Sequence, residues 1–196
     1  MADPPSSDAS YRYDVEILHL LVSPAHAYFG RARDGAADVP TTDAERVDLV
    51  AGKGVVGDRF FGKAAHMDAA VTVFAVEALE AIADELGAGP FDPLLTRRNI
   101  ILRGAELAPL IGHEFGIESQ GEVVRLKAGR PAHPCAWMDT MLAPGAHKAM
   151  RGRGGVRCQV LADGVLHRGP GILLSPVRLS AGRAGEATLL RPSRLP

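Results

Sequence analysis

The sequence predicts a mainly β protein with a few helices, folded as a closed or nearly closed β-barrel. Three observations carry this reading. Short apolar runs recur along the chain between glycine-containing turns, only one segment shows clear helical periodicity, and 196 residues suffice for one domain with a sizeable core. Residues 1–12 are polar, contain Pro and Ser and have no periodicity, so a disordered tail is expected there, with a single domain over 13–196.

From Tyr13, Val15, Ile17, His19 and Leu21 alternate with Glu16, Leu18 and Leu20, in a run ending at Ser23-Pro24 that fits a strand buried on both faces. Arg46 to Val50 is a second extended piece, stopped by glycines. Over Val73 to Leu86, Phe74, Leu79, Ile82 and Leu86 recur at helical spacing, and Gly87 stands where a helix end takes a left-handed residue. Asn99–Leu102, Glu114–Ile117 and Glu122–Leu126 read as strands, the last two joined by a glycine turn. A shorter helix is expected over Met138 to Met150, broken or delayed by Pro144-Gly145. Val156–Leu161 and Val165–His167 flank Asp163-Gly164, a hairpin signal, and Leu173–Leu179 and Thr188–Leu190 complete a strand-rich C-terminal half.

Charge narrows the function classes. With 22 basic and 23 acidic side chains the formal charge is -1, too balanced for a nucleic-acid partner bound by counterion release. No long apolar run or secretion signal is present, so a cytoplasmic protein without a membrane partner is expected. Cys135 and Cys158, with no Cys-x-x-Cys, argue against a disulfide or a zinc knuckle. Gly52, Gly54 and Gly57, and the run Gly57–Lys63, imitate phosphate loops, but no helix opens behind the first and Ala64 replaces the magnesium-binding hydroxyl of the second. What remains is a glycine turn whose amides, with Arg59 and Lys63, can approach an anion. Arg97-Arg98-Asn99 places guanidinium and amide donors at a strand entrance; capping of the barrel by one Arg through a carboxylate pair is an equal reading. The run Arg151–Arg157 reads as a flexible, solvated basic loop.

Cys135 is the strongest chemical candidate, although free cysteine is among the most buried residue types and a structural core position is the competing reading. It follows Gly129-Arg130-Pro131-Ala132-His133-Pro134, a stretch that displays a thiol on a loop, and His133 in an extended segment would project from the same face and favour the thiolate. Asp139, about one helical turn on, is placed to orient a water or substrate, or to cap the next segment.

Taken together, Gly54-Val55-Val56-Gly57-Asp58-Arg59, Thr96-Arg97-Arg98-Asn99-Ile100, Leu110–Phe115, Pro134-Cys135 and Gly154-Gly155-Val156-Arg157-Cys158 resemble the MOSC family, named for the C-terminal domain of molybdenum-cofactor sulfurase. The opening Ser23–Arg31 is similar to that of small stand-alone bacterial members. The resemblance implies a β-barrel and a cysteine, matched by Cys135, that ligates the molybdenum of a pyranopterin cofactor (molybdopterin) or carries a persulfide. It implies phosphate or pterin contacts by Arg59, Lys63, Arg98 and Asn99, with Cys135, His133 and Asp139 as the catalytic candidates. Molybdenum-cofactor binding and pyridoxal phosphate binding are the cofactor associations it brings. With no aminotransferase-like segment preceding the module, the persulfide would come from a separate cysteine desulfurase. Gly169-Pro170-Gly171 departs from the family's usual closing Gly-Asp pair. Three functions remain open: a molybdenum enzyme reducing N-hydroxylated small molecules, a sulfur carrier, and a non-catalytic barrel that binds a pterin or a partner.

Overall fold

The computed structural model describes residues 10–188. Its elements run, in order, β1 (Tyr11–Val22), β2 (Thr42–Asp43), β3 (Arg46–Val50), β4 (Gly54–Val55), β5 (Val71–Ala75) and α1 (Val76–Leu86). β6 (Ile100–Arg103), β7 (Glu114–Ser119) and β8 (Glu122–Pro131) follow, then α2 (Met138–Met141) and α3 (Ala146–Ala149). The last strands are β9 (Val156–Val160), β10 (Gly164–His167) and β11 (Gly169–Ser175). Seven of them close a barrel in the order β11-β7-β8-β9-β5-β6-β1, with β1 pairing back onto β11 and β2 added beside β1. β10, β3 and β4 form a small separate sheet.

All barrel pairs are antiparallel except β5 with β6, which are parallel and joined through α1. Alternation in these two strands explains how the helices attach. Val71, Val73, Ala75, Ile100 and Leu102 point into the barrel core, whereas Phe74 and Ile101 point outward into a second apolar layer with Leu79, Ile82, Trp137 and Met150. Both strand faces are therefore buried.

Several sequence expectations are corrected by this arrangement. Val73–Ala75 belongs to strand β5 and the helix begins at Val76, because Phe74 meets the helix from the sheet below it. Gly87 does end α1, with φ 59°. β1 is buried on both faces only at Leu20-Leu21; nearer its start, Val15 and Ile17 are buried while Asp14 and Glu16 are exposed. It also takes in Tyr11 and Arg12. Asp163-Gly164 closes no hairpin: β9 stays in the barrel and β10 crosses to pair with β3, while the Asp163 carboxylate accepts the Ala51 amide at 2.8 Å. The segment after Met138 is split into α2 and α3 at Pro144-Gly145. Positions 1–9 of the expected tail and 189–190 of the expected last strand lie outside the described residues. Among the described residues no helix is long and apolar enough to cross a membrane.

Candidate functional site

The chain leaves β8 at Pro131 and makes a short turn that carries Cys135. Two clamps hold it. Before the cysteine, the Ala132 amide donates to the Gly155 carbonyl at 2.8 Å, and Arg98 Nη2 donates to the Ala132 and His133 carbonyls at 3.5 and 3.3 Å. After it, the Met138 amide donates to the Cys135 carbonyl at 3.0 Å, and buried Trp137 stacks on Tyr28 with centroids 5.4 Å apart and planes 12° from parallel. Cys135 is exposed between these anchors. Cys158, by contrast, is fully buried in β9, where burial pushes its thiol up.

Gly154 and Gly155 make the first clamp possible. A Cβ on Gly154 would lie 1.8 Å from the Ala132 carbonyl oxygen, and one on Gly155 would lie 2.2 Å from that of Val73. A side chain at Gly154 would push the cysteine turn off the barrel, and one at Gly155 would push the entry to β9 away from β5.

Around the turn lies an excess of positive charge. Arg98 is buried; its Nε has no partner, its two carbonyl contacts are long, and no carboxylate pairs with it among the described residues. Burial, reinforced by Arg157, pushes this guanidinium down to about 10, while the Cys135 sulfur acts in the opposite direction and Arg59 adds to the depression. Arg59 forms a buried ion pair with Asp58 at 3.1 Å, the side chains being 9% and 0% exposed, and also donates to the Arg97 carbonyl at 3.2 Å. Arg157 lies on β9, half-buried and without a carboxylate partner among the described residues; burial and Arg130 lower it. Arg59 and Arg157 both lie over the Phe60 ring, at 4.7 and 5.9 Å, and His26 meets that ring edge-on at 5.1 Å. Tyr28 is pushed up to about 12 by burial, with Arg97 opposing the shift and Cys135 and Asp92 adding to it, and donates to the Leu95 carbonyl at 2.7 Å.

Of the residues singled out from sequence, Cys135, Arg59 and Arg98 are brought together. The others are placed differently. The Asn99 amide ties strands, its oxygen accepting from the Thr72 amide at 3.1 Å and its nitrogen donating to the Leu21 carbonyl at 3.3 Å. Lys63 is exposed and is not among the charges acting on Arg59, Arg98 or Arg157. Asp139 accepts the His147 amide at 2.7 Å and so links α2 to α3. His133 lines a neighbouring cleft of about 390 Å³ that Cys135 does not reach. Arg97 serves structure, as one reading allowed, but through Ser23 Oγ, the Ala25 carbonyl and Thr41 Oγ1 rather than through a carboxylate.

Sequence reasoning missed Arg157, which it assigned to a solvated loop, and the rings of Tyr28 and Phe60. One signal was present: in Val156-Arg157-Cys158-Gln159-Val160 the apolar residues alternate with polar ones, so Arg157 had to project from the outer face of a strand. The cleft lacks Cys135, whereas the basic cluster holds the exposed thiol and a buried cation without a counter-ion among the described residues. Among the described residues no three His, Cys, Asp or Glu side chains converge as metal ligands.

The MOSC domain family profile matches residues 52–172, more than half of the chain. No functionally curated protein matches it. Among solved structures, YuaD from Bacillus subtilis superposes with a TM-score of 0.64 at 17% identity, covering 87% of this chain and 98% of that one. YiiM from Geobacillus stearothermophilus gives 0.56 at 18% identity over 82% and 75%, and YiiM from Escherichia coli 0.52 at 18% over 89% and 76%. At these identities the likeness is one of fold.

Proposed function

The chain belongs to the MOSC domain family, and from that premise we propose that it binds a molybdenum–pterin cofactor through the sulfur of Cys135 and reduces small substrates, N-hydroxylated compounds being the proposed class. The observation that carries this is Arg98, a buried guanidinium with an orphaned Nε and no carboxylate partner among the described residues, beside an exposed thiol. A buried cation without a counter-ion is strongly disfavoured unless an anion completes it, and the planar guanidinium fits a phosphate in two-pronged fashion.

The donor set fits the group. Cys135 offers one soft ligand, which suits a thiophilic metal that arrives with its other ligands on a cofactor. When bound, the cofactor supplies a metal able to exchange two electrons with substrate. Arg98, Arg157 and Arg59 would hold its negative charge, and the Trp137–Tyr28 stack fixes the turn from which Cys135 projects.

Exposure of Cys135 also favours a second reading, in which it accepts persulfide from a cysteine desulfurase and passes the sulfur on. One experiment separates the two. Protein purified from a host that makes the cofactor is analysed for molybdenum, pterin and Cys135 persulfide. On the cofactor reading the unaltered protein retains both metal and pterin, Cys135→Ser loses the metal, and Arg98→Lys weakens pterin retention about ten- to a hundredfold through loss of a charge-assisted hydrogen bond. Unchanged pterin in Arg98→Lys sinks the phosphate role. Absence of metal and pterin together with a persulfide on Cys135 replaces the cofactor reading by the carrier.

A further inference from the structure

Phe60 has the size of a core residue but not the setting of one. It is half-buried and belongs to neither the barrel core nor the second apolar layer. Its ring is met instead by four polar side chains. Arg59 and Arg157 lie over it with Cζ 4.7 and 5.9 Å from the centroid, and the His26 and His66 rings approach at 5.1 and 4.7 Å, their planes at 75° and 60° to its own. His66 Nδ1 is buried without a hydrogen-bond partner among the described residues, so that nitrogen does nothing to hold the imidazole in place.

The two guanidiniums reach the ring from segments far apart in the chain. Arg59 is fixed by its own turn: one oxygen of the Asp58 carboxylate pairs with it at 3.1 Å, and the other accepts the Phe60 amide at 3.1 Å. Arg157 comes from β9, where the residue opposite it on β8 is Arg130, and the charge of Arg157 in turn bears on Arg59. Like charges so placed repel. With no carboxylate on Arg157 among the described residues, the electron-rich face of Phe60 is what offsets that repulsion.

We infer that Phe60 is a positioning residue, its ring gathering Arg59 and Arg157 into one anion grip before any anion is present. The inference rests on the reading that these guanidiniums take up negative charge in the site, but not on which group brings it. An apolar side chain without a π face would leave Arg157 free to turn away from Arg59, and ordering the pair would then weaken anion binding.

Isotope-labelled full-length protein, made in a host that does not produce the pterin cofactor, is titrated with inorganic phosphate. Through-space cross-peaks should link the Phe60 ring protons to the Arg59 and Arg157 side chains, and the signals of both arginines should move saturably with phosphate. Phe60→Leu is expected to weaken phosphate about three- to tenfold, whereas Phe60→Tyr, which keeps the ring face, binds it as the unaltered chain does. Unchanged affinity in Phe60→Leu, or an equal loss in Phe60→Tyr, overturns the inference. Missing cross-peaks to Arg157 in the unaltered chain overturn it too, even where Phe60→Leu fails to fold. No phosphate binding to the unaltered chain at millimolar concentration removes the anion grip altogether, while absence of molybdenum and pterin from protein made in a cofactor-producing host removes only the cofactor reading.

Discussion

Burial opposes the charge of Arg98, yet a guanidinium pushed down only to about 10 is still cationic at neutral pH. The same positive field reaches exposed His26, which burial lowers from its ordinary value, followed by Arg59 and Arg97; Asp58 opposes them and His66 adds to them. The imidazole is thus held neutral in the fold at pH values where it would take up a proton in the unfolded chain. Between its folded value and 6.5 the unfolded state binds more protons, so this contribution to stability is present above 6.5 and lost as pH falls through the folded value. We expect the His26 ring signals to titrate below 6.5 in the anion-free protein and to move back up when inorganic phosphate offsets the guanidinium field. A midpoint at or above 6.5 without anion would contradict the electropositive cluster.

Two neighbouring elements, the entry to β9 and the turn after β8, are built around each other. The Ala132 carbonyl accepts Arg98 and lies where a Gly154 side chain would have to go. Gly154→Ala should therefore lift the cysteine turn, break the Ala132–Gly155 hydrogen bond and cost about 1–3 kcal/mol, in the range for overpacked sites. Thermal melting together with the alkylation rate of Cys135 checks this; an unchanged melting temperature and rate would show that the turn does not depend on the glycine. Elements with strong local signals were legible in the sequence: α1 by its periodicity and Gly87, and the β7–β8 hairpin by its glycine, where Gln120 and Gly121 both have positive φ. The start of α1 was not, because Phe74 fits the spacing of the helix it supports while lying on β5 beneath it.

Closure of the barrel depends on residues far apart in the chain. β1 meets β11 from Tyr11 opposite Ser175 to Ile17 opposite Gly169, and β11 turns its other edge to β7. Gly171 lies in that seam, where a Cβ would stand 2.8 Å from the Glu118 carbonyl oxygen and 3.0 Å from Ile17 Cδ1. Gly171→Val is expected to lower stability by about 1–3 kcal/mol, read as an earlier urea midpoint; a midpoint equal to that of the unaltered chain would mean the seam has room to spare. The departure from the family's Gly-Asp pair thus falls at a site where the backbones need glycine. By itself the sequence determined the fold class, most strands, the exposed setting of Cys135 and the basic character of the Arg59 and Arg98 segments, because alternation, turn residues and charge are local properties. Only the tertiary structure decided that Asn99 joins strands, that His133 lines a cleft whose wall does not include Cys135, that β10 leaves β9 for β3, and that Arg157 completes the cluster. Those outcomes depend on which distant backbone each segment meets, and pairing across the barrel leaves no periodicity in the segments themselves.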